Sequence, residues 1–392
     1  MSQPTPFGGG PLDDLMRNLA RLLTTQGPVN WEIAGQMASF ASTGGRSEAN
    51  PDPLARVRLE ELLRVADLQV TEATGLATSS AGILSVRAVT RSQWAQQALD
   101  DWRPLLERLA TSLTAAGPDG EASSAGPGPD PLSGLLGNLP QVLGPLLFGM
   151  QVGAMVGDLA TRAMGQYDYA VPRPPAAEVV LVPSTIEGWA SDWSLSPDDV
   201  RLWVCLREVT FRTVLGRPHV HARLDALLGA YVGAFRPDAG ALEDRLAGFD
   251  PTDPSNLQQM FGDPEYLLGE LQTDEQRRLQ VPLHAVLSVV SGYVDHVMDT
   301  VGRRLISSYG PLTEAMRRRR IEEGQGVRIL GKLLGAGLGE AAYARGQAFV
   351  HGVLERAGEE GLGRLWVSEA ELPTPAEVEA PGLWLARIDL PG

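Results

Sequence analysis

From Thr273 to about Ile306 the sequence is apolar almost all the way round a helix, and no other feature limits the fold so strongly. Thr273-Asp274-Glu275-Gln276 has the pattern of a capping box. Val281, Leu283, Val286, Leu287, Val289, Val290, Val294, Val297, Met298 and Val301 then spread around the circumference, with Pro282 marking a possible kink. Such a helix must be enclosed on nearly every side. One narrow polar line runs along it: His284, Ser288, Ser291, Asp295 and Asp299, with His296 beside the line. Polar groups on a buried helix need partners. The chain is therefore expected to build a mainly α, multi-helix bundle around this segment, with at most a small β element.

A second helix supplies the complementary oddity. Ser196-Pro197-Asp198-Asp199 reads as an N-cap, a first-turn proline and first-turn acids, and the helix should run to about Leu215. Val200, Trp203, Val204, Phe211 and Val214 share one face, and Arg207 interrupts it. A guanidinium there must find an acid or reach solvent. Asp295 and Asp299 are the expected partners if the two helices pack face to face. The residues alone leave open whether His284, Asp295, His296 and Asp299 form a purely structural polar network or a residual active or binding site.

Residues 1–10 read as a disordered tail, 11–116 as an N-terminal helical region, 117–130 as a flexible linker and 131–392 as a second helical domain. Helices are expected over Asp13–Leu23, Trp31–Phe40, Pro53–Val70 and Arg87–Leu113, the last a helix pair or one bent helix with its break at Pro104. In the third, Leu54, Val57, Leu59, Leu62, Leu63, Ala66 and Val70 form the apolar stripe. Pro131 to Gly157 carries no charge and could span a bilayer by length. Pro140, Pro145 and the amides argue instead for burial in protein, with Gly149, Gly153 and Gly157 on one face for close helix contact. Val179–Val182 is the best strand. Further helices are expected over Ala222–Phe235, Leu312–Arg320 and Val327–Ala357, with Gly240–Pro264 irregular and Glu369–Gly392 wrapping the surface.

A chain of 392 residues with 43% hydrophobic content can bury a large core, and a formal charge of −15 argues against general binding to nucleic acid or anionic membrane. The single cysteine, Cys205, rules out an internal disulfide and a multi-cysteine zinc site. No signal-like segment is visible at the start, so the expected location is cytoplasmic. Gly326–Lys332 fits a phosphate loop poorly, because Leu333 stands where Ser or Thr is required and no strand precedes it. Gly335–Gly339 follows a helix and so fails as a dinucleotide fingerprint. Arg317–Arg320 close a helix, where dipole and ion-pair interactions account for them better than an anion or partner site does.

Leu206-Arg207-Glu208-Val209-Thr210-Phe211, with Val214-Leu215-Gly216 and Val220–Leu224, resembles the core of a mainly actinobacterial family regarded as zinc-dependent, zincin-like hydrolases. Some of its members are associated with deazaflavin-coenzyme biosynthesis genes. The resemblance runs from Leu143 onward and includes Gly165-Gln166-Tyr167-Asp168, Ser291–Asp299, Arg317–Arg320 and Leu372-Pro373-Thr374. It implies a metallopeptidase-like site in which an H-E-x-x-H helix gives two zinc ligands and a glutamate that polarises water, with a third ligand from the second long helix. Carried over, only Glu208 survives. The histidine positions hold Arg207 and Phe211, and the third holds Ser291. None of these three offers zinc a suitable donor. The implied protein is a catalytically degenerate member without cofactor or metal, binding a protein or peptide partner or serving a structural role. The alternative is an active hydrolase with a non-standard ligand set and Glu208 as general base; Glu208, Asp295, His296 and Asp299 are the residues from which such a site could be rebuilt.

Overall fold

The computed structural model describes residues 27–78, 82–115, 131–174, 176, 178–236, 272–322 and 324–389, with backbone alone for 114–115 and 131–143. The expected 1–10 tail, the Asp13–Leu23 helix, the 117–130 linker and the irregular Gly240–Pro264 stretch lie outside them.

The order of elements is α1 (Trp31–Thr43), α2 (Pro53–Thr74), β1 (Ser85–Ala88), α3 (Arg91–Ala115), α4 (Pro131–Arg162), β2 (Glu178–Leu181), α5 (Pro183–Asp192), α6 (Pro197–Leu215) and α7 (Pro218–Gly233). Then come α8 (Asp274–Leu305), α9 (Tyr309–Ile321), α10 (Gln325–Leu334), α11 (Glu340–Gly363), α12 (Pro375–Glu379) and α13 (Pro381–Ile388). The fold is mainly α. Its sheet is one short parallel pair, with Ser85 opposite Glu178 and Ala88 opposite Leu181. Val179, Val180 and Leu181 are buried as the apolar run requires. β1 has no such run: Val86 is buried within it and Leu84 just before it.

The helix apolar all round is the central one. α8 starts with the full reciprocal capping box of Thr273 and Gln276. It packs on α6, α7 and α11, and continues through Pro282 to Leu305. It is long and apolar enough to cross a membrane, yet 72% of its most apolar window is buried inside the protein. Its contact with α11 is backbone on backbone. A β-carbon at Gly346 would run into the Ser288 carbonyl, and one at Gly292 into the Gly346 carbonyl. The glycine face of α4 works similarly against α1: Gly149 lies over the Asn30 carbonyl, Gly153 over that of Ala34, and Gly157 against Ala38 and Ala41. Helices on both sides of residues 117–130 share one apolar core, which includes Trp94, Trp102, Leu159, Leu206, Tyr293 and Trp366.

Four local expectations change. α3 runs unbroken through Pro104. Pro104 and Asp100 both lie on the exposed side, so water can satisfy the carbonyl that the missing N–H leaves free. The stretch expected to be helical over Val327–Ala357 is interrupted, because Gly335 takes φ +67° and ends α10 before α11 begins at Glu340. Leu54 and Val57 are exposed, and Leu59, Leu63, Ala66 and Val70 form the buried stripe of α2. The C-terminal stretch is anchored rather than draped: Trp384 is fully buried, with its ring 5.4 Å from Phe349 at an edge-on angle.

Candidate functional site

The site forms where α6 meets the short segment after α4. Gly165 lies directly over the Glu208 carboxyl, so close that no side chain fits there. The Trp94 indole donates to the Gly165 carbonyl at 2.9 Å, and the Gln166 side-chain oxygen accepts from Val180 N–H on β2. These contacts pin Gly165-Gln166-Tyr167-Asp168 across the face of α6. Glu208 is 1% exposed, and both its oxygens accept from the Tyr167 amide at 3.0–3.1 Å. Burial, reinforced by the charge of Asp168, pushes its carboxyl up to about 8, despite opposing pull from Arg207.

Arg207 does not reach Asp295 or Asp299. Its guanidinium donates to Asp168 at 3.3 Å and to the Tyr167 carbonyl at 3.2 Å, and stands 3.9 Å from Glu208. The Phe211 ring lies 4.6 Å from it and the Trp203 ring 5.7 Å, so two aromatic faces flank the cation. Phe211 also stacks on Tyr167, with centroids 6.5 Å apart and planes 20° apart. The expected Arg207 pairing fails because Asp168 arrives first, on a strap lying against α6 itself. Asp168, 5% exposed, also accepts from Arg319 of α9. Burial would raise its carboxyl, but Arg319, Arg207 and the Met164 amide together hold it below the ordinary carboxylate range.

The polar line of α8 scatters to separate partners. His284 donates to the Gly335 carbonyl at 2.9 Å, and burial lowers its tendency to protonate. Asp295 takes a two-pronged pair from Arg320 at 3.1 and 3.2 Å and a third bond from Gln347. His296 meets Glu359 at 2.9 Å. Asp299 accepts from Tyr309 at 2.6 Å and Arg303 at 3.0 Å. Ser291 is buried, and the Ser288 hydroxyl is buried without a hydrogen-bond partner. His284, Asp295, His296 and Asp299 thus do not converge, and among the described residues no three His, Cys, Asp or Glu side chains cluster as a metal could use. Sequence reasoning missed Asp168 and Arg162 as site residues. Asp168 had two visible signals: it ends the Gly165–Asp168 segment of the family resemblance, and it is the only charge between Arg162 and Arg173.

The arginine run divides by helix geometry. Arg317 and Arg318 turn outward to Glu314, whereas Arg319 and Arg320 turn inward to Asp168 and Asp295. The inward pair, with Arg162 and Arg207, lines a cavity of about 120 Å³. Next to it lies a second of about 490 Å³, sharing Arg320, Leu338 and Tyr343 with the first.

Residues 29–385 match the zincin-like metallopeptidase family. The chain belongs to that family. No curated protein matches it. Among solved structures it is similar to a protein of Chloroflexus aurantiacus described provisionally as a hydrolase with a novel fold. The two share 23% identity over 93% of this chain and 100% of that one, with a TM-score of 0.60, which speaks to the fold.

The family's name implies a zinc ion, and the residues here do not fit one. A zinc site needs three lone-pair donors around an open position. At the positions that the resemblance assigns to zinc ligands, the helix α6 carries a guanidinium and a phenyl ring, and α8 carries a buried serine. Glu208 is turned onto the Tyr167 amide. A fixed cation already sits beside both carboxylates.

Proposed function

We propose that this member of the zincin-like metallopeptidase family is a metal-independent binding protein rather than a hydrolase, holding its partner in the cytoplasm without cutting it. The observation that carries this reading is the guanidinium of Arg207, 3.3 Å from Asp168 and 3.9 Å from Glu208, in the place from which a zinc ligand would act. Metal-assisted hydrolysis needs a Lewis acid to activate water and a base to take its proton. Arg207 can supply positive charge but has no lone pair to hold a metal or accept a proton. Glu208 is a poor base in its setting, because a carboxyl raised to about 8 is mostly protonated at neutral pH and 1% exposure keeps water away. That weighs against an active hydrolase using Glu208. The test is elemental analysis of native protein purified without chelator. We expect no divalent metal near one per chain; about one zinc per chain would overturn the reading.

A further inference from the structure

Among the described residues, four guanidinium groups, from Arg162, Arg207, Arg319 and Arg320, line the cavity of about 120 Å³, with Asp168 as the one acid in its wall. Asp168 serves Arg207 and Arg319 together, and Asp295 serves Arg320. Among the described residues, Arg162 donates to the backbone carbonyls of Glu322 and Arg319 and to no carboxylate. With Glu208, 3.9 Å from Arg207, buried and mostly protonated at neutral pH, two positive charges are left without an ionised carboxylate partner at one small opening, in a chain of formal charge −15. Unpaired cations gathered in a recess of low dielectric attract anions of matching charge. A dianion matches better than a carboxylate, which would neutralise only half of the excess.

The geometry favours a phosphoryl group in particular. Planar guanidinium forks pair with phosphate oxygens two at a time, and their strength depends on being held in place beforehand. Arg207 is held between two aromatic faces, and Arg319 against a buried carboxylate. A cavity of about 120 Å³ has room for a small oxyanion. Gly331 and Gly337 form part of the wall, and a β-carbon on the first would lie 3.1 Å from the Cα of the second. The glycine-rich stretch of α10 and its C-cap thus keeps this wall free of side chains. The adjoining cavity of about 490 Å³ carries Trp203, Met298, Met316 and Tyr343, surfaces suited to an apolar or aromatic body.

We propose that the arginine cavity binds the phosphoryl group of a small organic phosphate whose apolar body occupies the adjoining cavity. A polymeric nucleic acid is disfavoured by the net charge of the chain. The assignment rests on the metal-independent binding reading and names its ligand class.

Calorimetric titration of the full-length protein with phenyl phosphate, inorganic phosphate and benzoate tests it. We expect one phenyl phosphate per chain, bound at least tenfold more tightly than either other probe. Arg162→Gln should weaken that binding at least tenfold. Since losing an arginine can loosen the fold, Ala336→Glu is the second variant: it leaves every arginine and its bonds in place and sets a competing carboxylate in the cavity wall. It should also weaken binding at least tenfold, with the melting temperature little changed. Phenyl phosphate binding no more tightly than benzoate, or equally well to either folded variant, overturns the assignment; if both variants unfold, the comparison of the three probes on the unaltered protein decides. Metal content measured on the same sample separates the two ideas. Failure to bind in zinc-free protein removes the phosphate assignment alone, whereas one zinc per chain removes the metal-independent reading.

Discussion

Asp168 is the residue on which the site turns. It carries the charge of two arginines from different helices at 5% exposure. Arg207→Ala would leave Arg319 as its remaining partner, and breaking such a pair typically costs about 3–5 kcal/mol because a buried charge is stranded. With 18% of the Arg207 side chain still exposed, the lower end, about 3 kcal/mol, is expected by denaturant unfolding. Combined with Asp168→Asn, the loss should be smaller than the sum of the single losses; strict additivity would mean that the pair does not interact. Glu208 gives a pH signature of opposite sign from that of a paired acid. Its folded carboxyl is raised, so between about 4.5 and about 8 the native state holds a proton that the unfolded chain has released. Stability from this group is full below that window and declines as pH rises through it. Glu208→Gln should flatten the decline and melt higher than the unaltered protein at pH 8–9; an unchanged pH profile would count against the burial argument. The residue types at Arg207, Glu208, Phe211 and Ser291 could be read from sequence, and so could the need of Arg207 for an acidic partner. The partner of Arg207 could not be. Asp295 and Asp299 lie on the conspicuous helix, but Asp168 is brought in by a strap whose course depends on Gly165, Trp94 and β2.

Elements with a strong periodic or capping signal were legible almost to the residue. α6 runs from Pro197 to Leu215 behind Ser196, and α8 opens on the Thr273 box. β1 and the break after α10 were not, because each depends on something outside its own sequence. Ser85–Ala88 is a strand only because Glu178–Leu181 comes beside it. Gly335 ends a helix only where the chain must turn back against Tyr231, whose ring lies where a β-carbon would go. Glycine spacing was the more faithful guide, since a helix face stripped of side chains has few uses besides close approach. The crossing of α8 and α11 at Gly292 and Gly346 shows how close that approach is. Gly346→Ala would set a methyl group against the Ser288 carbonyl, which is backbone and cannot swing aside. The substitution should cost about 1–3 kcal/mol, read as a lower denaturation midpoint with the slope of the transition unchanged. A neutral result would show that the two helices slide apart freely.

On the scale of the whole molecule, the early helices depend on partners that come much later in the chain. α1 rests on the glycine face of α4, and β1 pairs with β2. A fragment of residues 1–116 should therefore show helical circular dichroism without a cooperative melt, because Ala34, Ala38 and Val86 would lack their coverings. A sharp two-state transition in that fragment would show that the region folds by itself. The parallel pairing also has a consequence in time. Roughly 90 residues separate the two strands, and a ribosome adding about 5–20 residues per second needs roughly 5–20 s to make them. Throughout that interval the first helices are outside the tunnel with their inner faces uncovered, far longer than the microseconds in which apolar chains collapse. Slowing elongation between Ala88 and Glu178 would lengthen the exposure of these faces in direct proportion.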